Sequence, residues 1–355
     1  MKTSSQQESD RSPRVGIVVL HYNGLDDTLE CLESLASVRS DEVIVWVVDN
    51  ASVDDPVATI NERFPWCRLH RNQANEGWAG GNNAGIGLAL DADCDWVMLL
   101  NNDTRVSPRI VDRLLVAAVA DDRLGVIGPL INEWEPEDQI QTACCFFNPA
   151  DSQAMLASQL PSASTVTSAP QDPPVVLPTD IVNGCCMMIR IDVIREVGMI
   201  DEAFFLVHEE SDFCLRVGEA GYSCGVLAES HVWHKHSASF GREVSPLQRY
   251  FASRNSWRLI AKHRNWASGK SPKASRWMLL RHTWHLVDFE QERGNSAAAR
   301  AVVDGVADAW SGRFGPRPSR RRPCAWLAHR GLQLISRLRA RTRPSRSFVD
   351  TGGAS

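Results

Sequence analysis

Short segments that are rich in apolar residues and end abruptly in polar ones recur through the first third of the chain. They are Val15–Leu20, Glu42–Val48, Arg68–His70 and Trp96–Leu100. Segments of this length are typical of buried strands in a parallel sheet. Between them, apolar residues at helical spacing predict connecting helices, as at Leu25, Leu29, Leu32 and Leu35 and over Asn82–Leu90. Alternating strands and helices predict an α/β domain with right-handed crossovers.

The pattern changes in the second half of the chain. Residues 149–178 are rich in Ser, Ala, Pro and Gln, which predicts a long loop or insertion. Strand and helix patterns resume at Asp180, and from about Leu247 the pattern is helical and rich in Trp and Arg. We therefore predict a disordered tail (1–13), a main domain (14–255), a helical, Arg-rich extension (256–346) and a second disordered tail (347–355).

Polar clusters follow three of the predicted strands, at His21–Gly24, Asp49–Ser52 and Asn101–Asp103. The carboxyl ends of parallel strands meet at one sheet edge, where ligands of open α/β sheets bind, so we expect one crevice. Asp103 is a carboxylate suited to holding a divalent cation against phosphates. The alternative is a strand-terminal turn, because Asn and Asp also favour turns.

A glycine-rich segment, Asn75–Asn83, precedes the predicted helix. Backbone N–H groups and the helix dipole favour an anion at such a position. The segment does not match G-x-G-x-x-G or the P-loop pattern, which argues against a dinucleotide dehydrogenase and a Walker-type ATPase. A purely structural glycine-rich turn is the alternative interpretation.

Two clusters in the second half contain titratable side chains. His208, Glu209, Glu210 and Asp212 follow an aromatic run, which is an environment suited to a carboxylate base with a raised pKa. The alternative is a helix N-terminus that carries acids. His234 and His236 would point to the same side of a strand and share a cation, unless the strand is simply exposed.

Charge and cysteine content narrow the class of protein. The net charge is −5, yet residues 313–346 hold eleven arginines and no acid, which points to an anionic surface as the partner of this segment. The ten cysteines form no C-x-x-C pair. The polar N-terminus lacks a secretory h-region and no apolar run reaches membrane-spanning length, so we expect free thiols in a cytoplasmic protein.

The order of these motifs resembles family 2 glycosyltransferases of the GT-A fold, particularly their bacterial rhamnosyltransferase-like branch. The resemblance covers about Val15 to Asn255. It rests on the segments 21–24, 48–52, 75–83, 99–104, 183–184, 209–216 and 233–235. It implies a mixed, mostly parallel central sheet flanked by helices, with a C-terminal helical extension.

The resemblance also assigns roles to residues. Those implied in donor binding are His21, Asn23, Asp49, Asn50, Asn75, Gly81, Asn82, Asn101 and Asn102. Asp103 and His234 would bind Mg²⁺ or Mn²⁺, with Asn101 standing where many relatives have the first Asp of a D-x-D element. The catalytic group would be Glu210, Glu209 and Asp212, with Glu210 at the position of the general base and Glu209 as a substitute.

The reaction implied is inverting transfer of a sugar, with rhamnose as one candidate, from a nucleotide-diphosphate donor to a lipid-linked or cell-surface glycan. Leu and Trp residues alternating with Arg near Trp326 suit a peripheral helix on an anionic membrane, which the enzyme interpretation favours over nucleic acid or a solvated tail. Two alternatives remain, a nucleotidyltransferase and a non-catalytic glycan-binding or scaffold protein on the same fold.

Overall fold

The computed structural model describes residues 11–148, 156–161, 171–235, 245–263, 266 and 272–318. The strands are β1 (Val15–His21), β2 (Val43–Asp49), β3 (Arg68–Arg71), β4 (Trp96–Asn101), β5 (Thr104–Val106), β6 (Leu124–Glu133), β7 (Ile140–Thr142), β8 (Cys144–Phe147), β9 (Leu156–Gln159), β10 (Val176–Thr179), β11 (Cys186–Arg190) and β12 (Ser223–His234). The helices are α1 (Leu25–Leu35), α2 (Val57–Arg63), α3 (Gly77–Asp91), α4 (Ile110–Val119), α5 (Ile191–Val197), α6 (Glu209–Glu219), α7 (Pro246–Lys262), α8 (Pro272–Glu292) and α9 (Ser296–Trp310).

A ten-stranded mixed sheet forms the centre of the molecule, in the order β10-β12-β6-β11-β4-β1-β2-β3, with β5 on β12 and β7 on β6. The β4-β1-β2-β3 half is parallel. Strand β11 is antiparallel to both of its neighbours, and β12 is parallel to β6. The predicted α/β class and mixed, mostly parallel sheet are therefore confirmed.

Both faces of the sheet are covered, as the apolar strand segments predicted. Val15, Ile17 and Val19 of β1 pack into the layer formed with α1, α2 and α4. Val18 packs into the opposite layer, with α3, α5 and α6. Successive side chains of a strand point to opposite faces, so a strand that is buried on both faces reads as a continuous apolar run.

Three boundaries differ from the sequence expectation. Helix α3 begins at Gly77, five residues before the predicted start at Asn82, because its glycines lie inside the helix and pack against the sheet. Within the predicted insertion 149–178, β9 pairs with β8 as a hairpin and β10 joins the main sheet. Helix α7 passes through the predicted domain boundary at residue 255 without a break.

The C-terminal helices α7 and α8 pack on the layer that contains α3, α5 and α6. α7 begins at Pro246, and the Ser245 hydroxyl caps it by accepting the Gln248 N–H at 3.1 Å. Gly305 of α9 lets that helix approach α7, since a Cβ there would lie 2.4 Å from the Tyr250 carbonyl oxygen. Across the described ranges, no helix combines the length and apolar character needed to cross a bilayer. The expected tail 347–355, residues 319–346 of the Arg-rich extension and most of the tail 1–13 lie outside the described residues.

Candidate active site

The carboxyl ends of β1, β2 and β4 lie side by side. In the strand pairing, His21 is opposite Asp49 and Leu20 is opposite Asn101. The three polar clusters predicted from the sequence therefore occupy one edge of the sheet, at the position where ligands of open α/β sheets bind.

Asp49 and His21 are buried at this edge. Asp49 Oδ1 accepts the Ser52 N–H at 2.9 Å, and its Oδ2 lies 3.3 Å from the Arg71 guanidinium. The His21 Nδ1 lies 2.7 Å from the Thr28 hydroxyl. Burial lowers the pKa of His21, so its imidazole is neutral at pH 7 and carries no charge toward a ligand.

A second polar group surrounds the turn after β1. Asn23 has φ 58, donates its N–H to Ser52 Oγ at 2.8 Å and accepts the Val53 N–H through Oδ1 at 3.0 Å. Asn102 donates from Nδ2 to the Thr28 hydroxyl at 2.9 Å. The Asn23 side chain thus holds the turn after β1 against the loop after β2, and the Asn102 side chain holds the turn after β4 against α1.

The Asn50 side chain makes its hydrogen bonds within the protein. Its Nδ2 donates to Asn75 Oδ1 at 3.1 Å and to the Gly77 carbonyl at 2.9 Å. Its Oδ1 accepts from Asn72 Nδ2 and from the Glu76 N–H, each at 3.1 Å. Asn50 therefore fixes the glycine-rich segment to the end of β2.

The N-terminal N–H groups of α3 are also used internally. Gly77 N–H donates to Asn75 Oδ1 at 2.9 Å, and Trp78 and Ala79 donate to the Phe205 carbonyl at 2.8 and 3.5 Å. The anion site predicted at this helix start is therefore not formed by these groups, because side-chain and backbone oxygens of the chain already accept from them.

Gly81 and Asn82 of α3 occupy packed positions. A Cβ at Gly81 would lie 2.5 Å from Leu20 Cδ1 and 3.2 Å from Asn50 Nδ2, so glycine permits the helix to contact the strand end. Asn82 is buried and donates from Nδ2 to the Trp78 carbonyl at 2.9 Å. Gly81 therefore lets α3 contact the end of β1, and Asn82 holds the Trp78 carbonyl.

Trp78 connects the first and second halves of the site. Its indole Nε1–H donates to Asn101 Oδ1 at 3.0 Å. A Cβ built on Gly184 would lie 3.1 Å from Trp78 Cζ2 and 3.3 Å from Glu210 Cβ, so Gly184 lies between the indole ring and Glu210. Glu210 and the end of β4 therefore both lie near the Trp78 side chain.

Asp103 and His234 lie together, as the sequence predicted. Asp103 Oδ1 is 3.3 Å from His234 Nε2, and both side chains are nearly buried. β5 and β12 are antiparallel with His234 opposite Thr104, which brings the two residues into contact. His236, the second histidine of the predicted pair, lies outside the described residues.

These two side chains fit a divalent cation. His234 Nδ1 lies 3.0 Å from Gln141 Oε1; with that oxygen as acceptor, Nδ1 carries the proton and Nε2 directs its lone pair toward Asp103. Two adjacent ligands of an octahedral ion, each at ~2.1 Å, stand ~3 Å apart, close to the separation of Asp103 Oδ1 and His234 Nε2. Among the described residues no three His, Cys, Asp or Glu side chains form a complete metal site, so water and donor oxygens would supply the remaining ligands.

The acidic group begins helix α6. Glu210 is half-buried, and its Oε1 accepts from the Ser211 hydroxyl at 3.0 Å. Burial raises the pKa of Glu210, and it raises the pKa of the neighbouring Glu209 further, because Glu209 is almost wholly buried and lies beside a second carboxyl. His208 is held neutral, since burial lowers its pKa to about 4.

Asp212 has an arrangement unlike that of a base. Its carboxylate contacts Arg216 Nε at 3.0 Å, Lys262 Nζ at 2.7 Å and His263 Nε2 at 3.0 Å. Although burial opposes ionisation, these hydrogen bonds and charges lower the pKa of Asp212 to about 2. Asp212 therefore joins α6 to α7. The sequence placed Asp212 in the catalytic group, whereas its carboxylate is held by these three side chains.

Three residues that shape the site were not identified from the sequence. Trp78 was read only as part of a glycine-rich segment, and Gln141 lies in β7, far along the chain from His234. Lys235 donates its backbone N–H to the Asp103 carbonyl at 3.1 Å, and its Nζ contacts Asp27 and Glu30 of α1 at 2.8 and 2.6 Å. Lys235 belongs to the motif segment 233–235, but the sequence assigned it no role.

Comparison with known proteins identifies the family. The family model described as glycosyl transferase family 2 matches residues 16–169, and the one described as glycosyl transferase family group 2 matches residues 96–289, more than half of the chain. An N-acetylglucosaminyl-diphospho-decaprenol L-rhamnosyltransferase of Mycobacterium tuberculosis (strain ATCC 25618 / H37Rv) is 28% identical over 240 residues, covering 64% of this chain and 78% of that protein.

Two solved structures share the fold. GalNAc-T7 with UDP, GalNAc and Mn²⁺ superposes with a TM-score of 0.57 at 14% identity, over 86% of this chain and 58% of that one. The mannosyltransferase PcManGT from Pyrobaculum calidifontis, in complex with GDP-Man and Mn²⁺, gives 0.50 at 18% identity, over 94% and 83%. These two likenesses show the shared fold, and the family-model matches establish that the chain belongs to the family 2 glycosyltransferases.

Proposed function

We propose that this glycosyltransferase inverts the anomeric centre of a sugar as it transfers it from a nucleotide-diphosphate donor to a glycan acceptor. The observation that carries the proposal is the position of Trp78. Its indole donates a hydrogen bond to Asn101, two residues from Asp103, and Gly184 lies between the same indole and Glu210. A donor diphosphate beside Asp103 and an acceptor hydroxyl beside Glu210 would thus both lie near the Trp78 indole.

Glu210 is the general base in this proposal. It is the more exposed member of the Glu209–Glu210 pair, and its raised pKa makes its carboxylate a stronger base than an ordinary glutamate. The carboxylate takes the proton of an acceptor hydroxyl, and the oxygen attacks the anomeric carbon from the face opposite the diphosphate. The bond to the diphosphate oxygen breaks, and its electron pair leaves with the nucleotide diphosphate. Base assistance of this kind contributes roughly 10²–10⁴-fold to the rate.

Asp103 and His234 would hold Mg²⁺ or Mn²⁺. The two structures with the same fold contain Mn²⁺ with UDP or GDP-mannose, and the ligand separation here suits such an ion. When bound, the ion offsets the charge that develops on the leaving diphosphate. Gln141 orients the imidazole and Lys235 fixes the Asp103 backbone, so both act by holding the ligands in place.

Donor binding is assigned to the remaining polar groups at the sheet edge. We propose that Asp49, with His21 and Asn23 beside it, contacts the base or ribose. Asn75, Asn101 and Asn102 would border the sugar-diphosphate, while Asn50, Gly81 and Asn82 support them from behind. Rhamnose is the proposed sugar and a lipid-linked glycan the proposed acceptor, because the relative in Mycobacterium tuberculosis is named as an L-rhamnosyltransferase acting on a decaprenol-linked sugar.

We also propose peripheral association with an anionic membrane through the Arg-rich segment 313–346. Its arginine content supports the proposal, and a lipid-linked acceptor would require the enzyme to work at a membrane surface. The nucleotidyltransferase and non-catalytic alternatives are set aside, since the chain is a glycosyltransferase by family.

The test is a comparison of Glu210→Gln, Glu209→Gln and wild type with nucleotide-rhamnose donors, Mn²⁺ and a lipid-linked acceptor. Glu210→Gln should lower kcat about 100-fold or more while the donor Kd, measured by calorimetry, stays within about twofold. Glu62→Gln on the exposed face of α2 is the matched control. Wild-type turnover by Glu210→Gln with an inactive Glu209→Gln would move the base to Glu209.

A further inference from the structure

The segment just before the proposed base has an unusual backbone. Phe205, Val207 and His208 have φ angles of 64, 72 and 73°, in the left-handed region that residues other than glycine rarely adopt. Val207 is β-branched, which makes this conformation especially unfavourable. Such a backbone persists only where its surroundings hold it in place.

Two wholly buried residues of α7 provide that support. Asn255 Nδ2 lies 2.9 Å from the Phe204 carbonyl, 2.8 Å from the Leu206 carbonyl and 2.7 Å from the Val207 carbonyl. Arg254 donates from Nη2 to the carbonyls of Ala203 and Phe204 at 3.2 and 2.7 Å. Arg254 Nε also donates to Asn255 Oδ1 at 2.9 Å, which orients the amide so that its NH₂ group faces the carbonyls.

The same segment contacts both halves of the site. The Phe205 carbonyl accepts the Trp78 N–H at 2.8 Å and so caps α3. Gly77 is required at this contact, since a Cβ there would lie 2.2 Å from the Phe205 carbonyl oxygen. Three residues after Val207, Glu210 stands in the first turn of α6. The segment therefore places Trp78 and Glu210 relative to each other.

We propose that Asn255 is a positioning residue for sugar transfer, and that it acts by holding segment 203–208 in the backbone conformation that aligns Glu210 with Trp78. The inference rests on the proposed role of Glu210 as the base. Asn255 touches neither donor nor acceptor. Its effect is transmitted by the carbonyls of Phe204, Leu206 and Val207, which its one NH₂ group contacts together.

The neighbouring Ser253 offers a matched control. It is equally buried in α7, but its hydroxyl contacts only helix carbonyls, those of Arg249, Tyr250 and Val302, at 2.8, 3.1 and 3.1 Å. Ser253→Ala removes these buried hydrogen bonds without touching segment 203–208. We expect it to lower the melting temperature and leave kcat unchanged.

The experiment compares full-length Asn255→Ala, Asn255→Ser and Ser253→Ala with wild type. Asn255→Ala should lower kcat about 10- to 100-fold, the cost of misplacing a catalytic group by about 1 Å, while the Kd of the nucleoside-diphosphate product stays within about twofold. Asn255→Ser, which keeps one donor, should be intermediate and provides a folded variant if the alanine protein is unstable. Water admitted around Glu210 should also move the acidic limb of the pH–kcat profile to lower pH.

A second substitution tests the backbone argument. Glycine adopts a positive φ readily, so Val207→Gly should restore part of the kcat lost in Asn255→Ala. The same change in the wild-type background corrects for the lost Val207 side chain, as in a double-mutant cycle.

Two outcomes would overturn the inference. One is a kcat of Asn255→Ala equal to that of Ser253→Ala. The other is a kcat loss that Val207→Gly does not reduce and that leaves the pH profile unmoved, which indicates a general loss of folded protein. The Glu210→Gln variant tests the base assignment separately from the role of Asn255. If Glu210→Gln has the kcat of the wild type, the base assignment is wrong, whatever the result for Asn255.

Discussion

The Trp78 indole donates a 3.0 Å hydrogen bond to Asn101, the residue for which the family resemblance implies a second carboxylate in the proposed metal site. An aspartate at position 101 would accept the same hydrogen bond and would add a charge beside Asp103. Asn101→Asp should therefore lower the Mn²⁺ concentration for half-maximal activity, by about tenfold if the added ligand contributes ~1.4 kcal/mol. Titration of activity with Mn²⁺ at saturating donor measures the change.

Asp103→Asn gives the opposite test of the proposed metal site and should raise the Mn²⁺ concentration needed for activity, since it removes the only carboxylate of the Asp103–His234 pair. Asp112→Asn, on the exposed side of α4, is the matched control. An Asp103→Asn enzyme with an unchanged Mn²⁺ titration would remove Asp103 from the metal site.

Glu209 should govern stability rather than catalysis. Its pKa is raised by burial in the folded state, so the stability contributed by its protonated form is complete below its unfolded value of 4.5 and declines as pH rises toward the folded pKa. In Glu209→Gln the side chain at this position cannot ionise, so the free energy of unfolding should decline less as the pH rises. Urea unfolding at pH 5 and pH 7 measures it: wild type should lose more stability between these pH values than the variant. Parallel losses in the two proteins would contradict the burial argument.

The stability contributed by Asp212 depends on pH in the opposite direction. Its pKa falls from 3.8 to about 2 on folding, so its stabilising contribution is complete above pH 4 and disappears as pH falls toward 2. The shift corresponds to about 2 kcal/mol. Asp212→Asn should therefore be clearly less stable than wild type at pH 7 and approach it near pH 2.5, as measured by denaturant unfolding. A difference that does not depend on pH would show that the lost hydrogen bonds, rather than the charge, matter.

Much of the fold could be predicted from the sequence because the relevant signals are local. The apolar run before Asn101 predicted a buried strand with its polar end at the crevice, and the end of β4 lies there. The start of α3 was misplaced because glycine disfavours helices on average, whereas Gly77 and Gly81 are required by contacts with Phe205 and Leu20. Those contacts join residues that are distant in the chain.

The candidate site also has features that could be predicted from the sequence and features that could not. The pairing of Asp103 with His234 could be predicted because both positions belong to motifs found in a fixed order. The separation of Asp212 from Glu210 could not, because residues two apart near the start of a helix differ in direction and only tertiary packing decides which one meets Lys262 and His263. Asn255 marked the end of the family resemblance, but the sequence assigned it no role, since its partners are backbone carbonyls.

The shared Phe205 carbonyl has a consequence for how this enzyme can diversify. Because it accepts from α3 and lies between the Phe204 and Leu206 carbonyls that Asn255 of α7 contacts, adding or deleting a residue between Ala203 and His208 would displace both sets of contacts. The chain between β8 and β10 makes no contact of this kind with Phe205 or Asn255 among the described residues. Length changes should therefore be tolerated between β8 and β10 and rejected in the six residues that precede the acidic group.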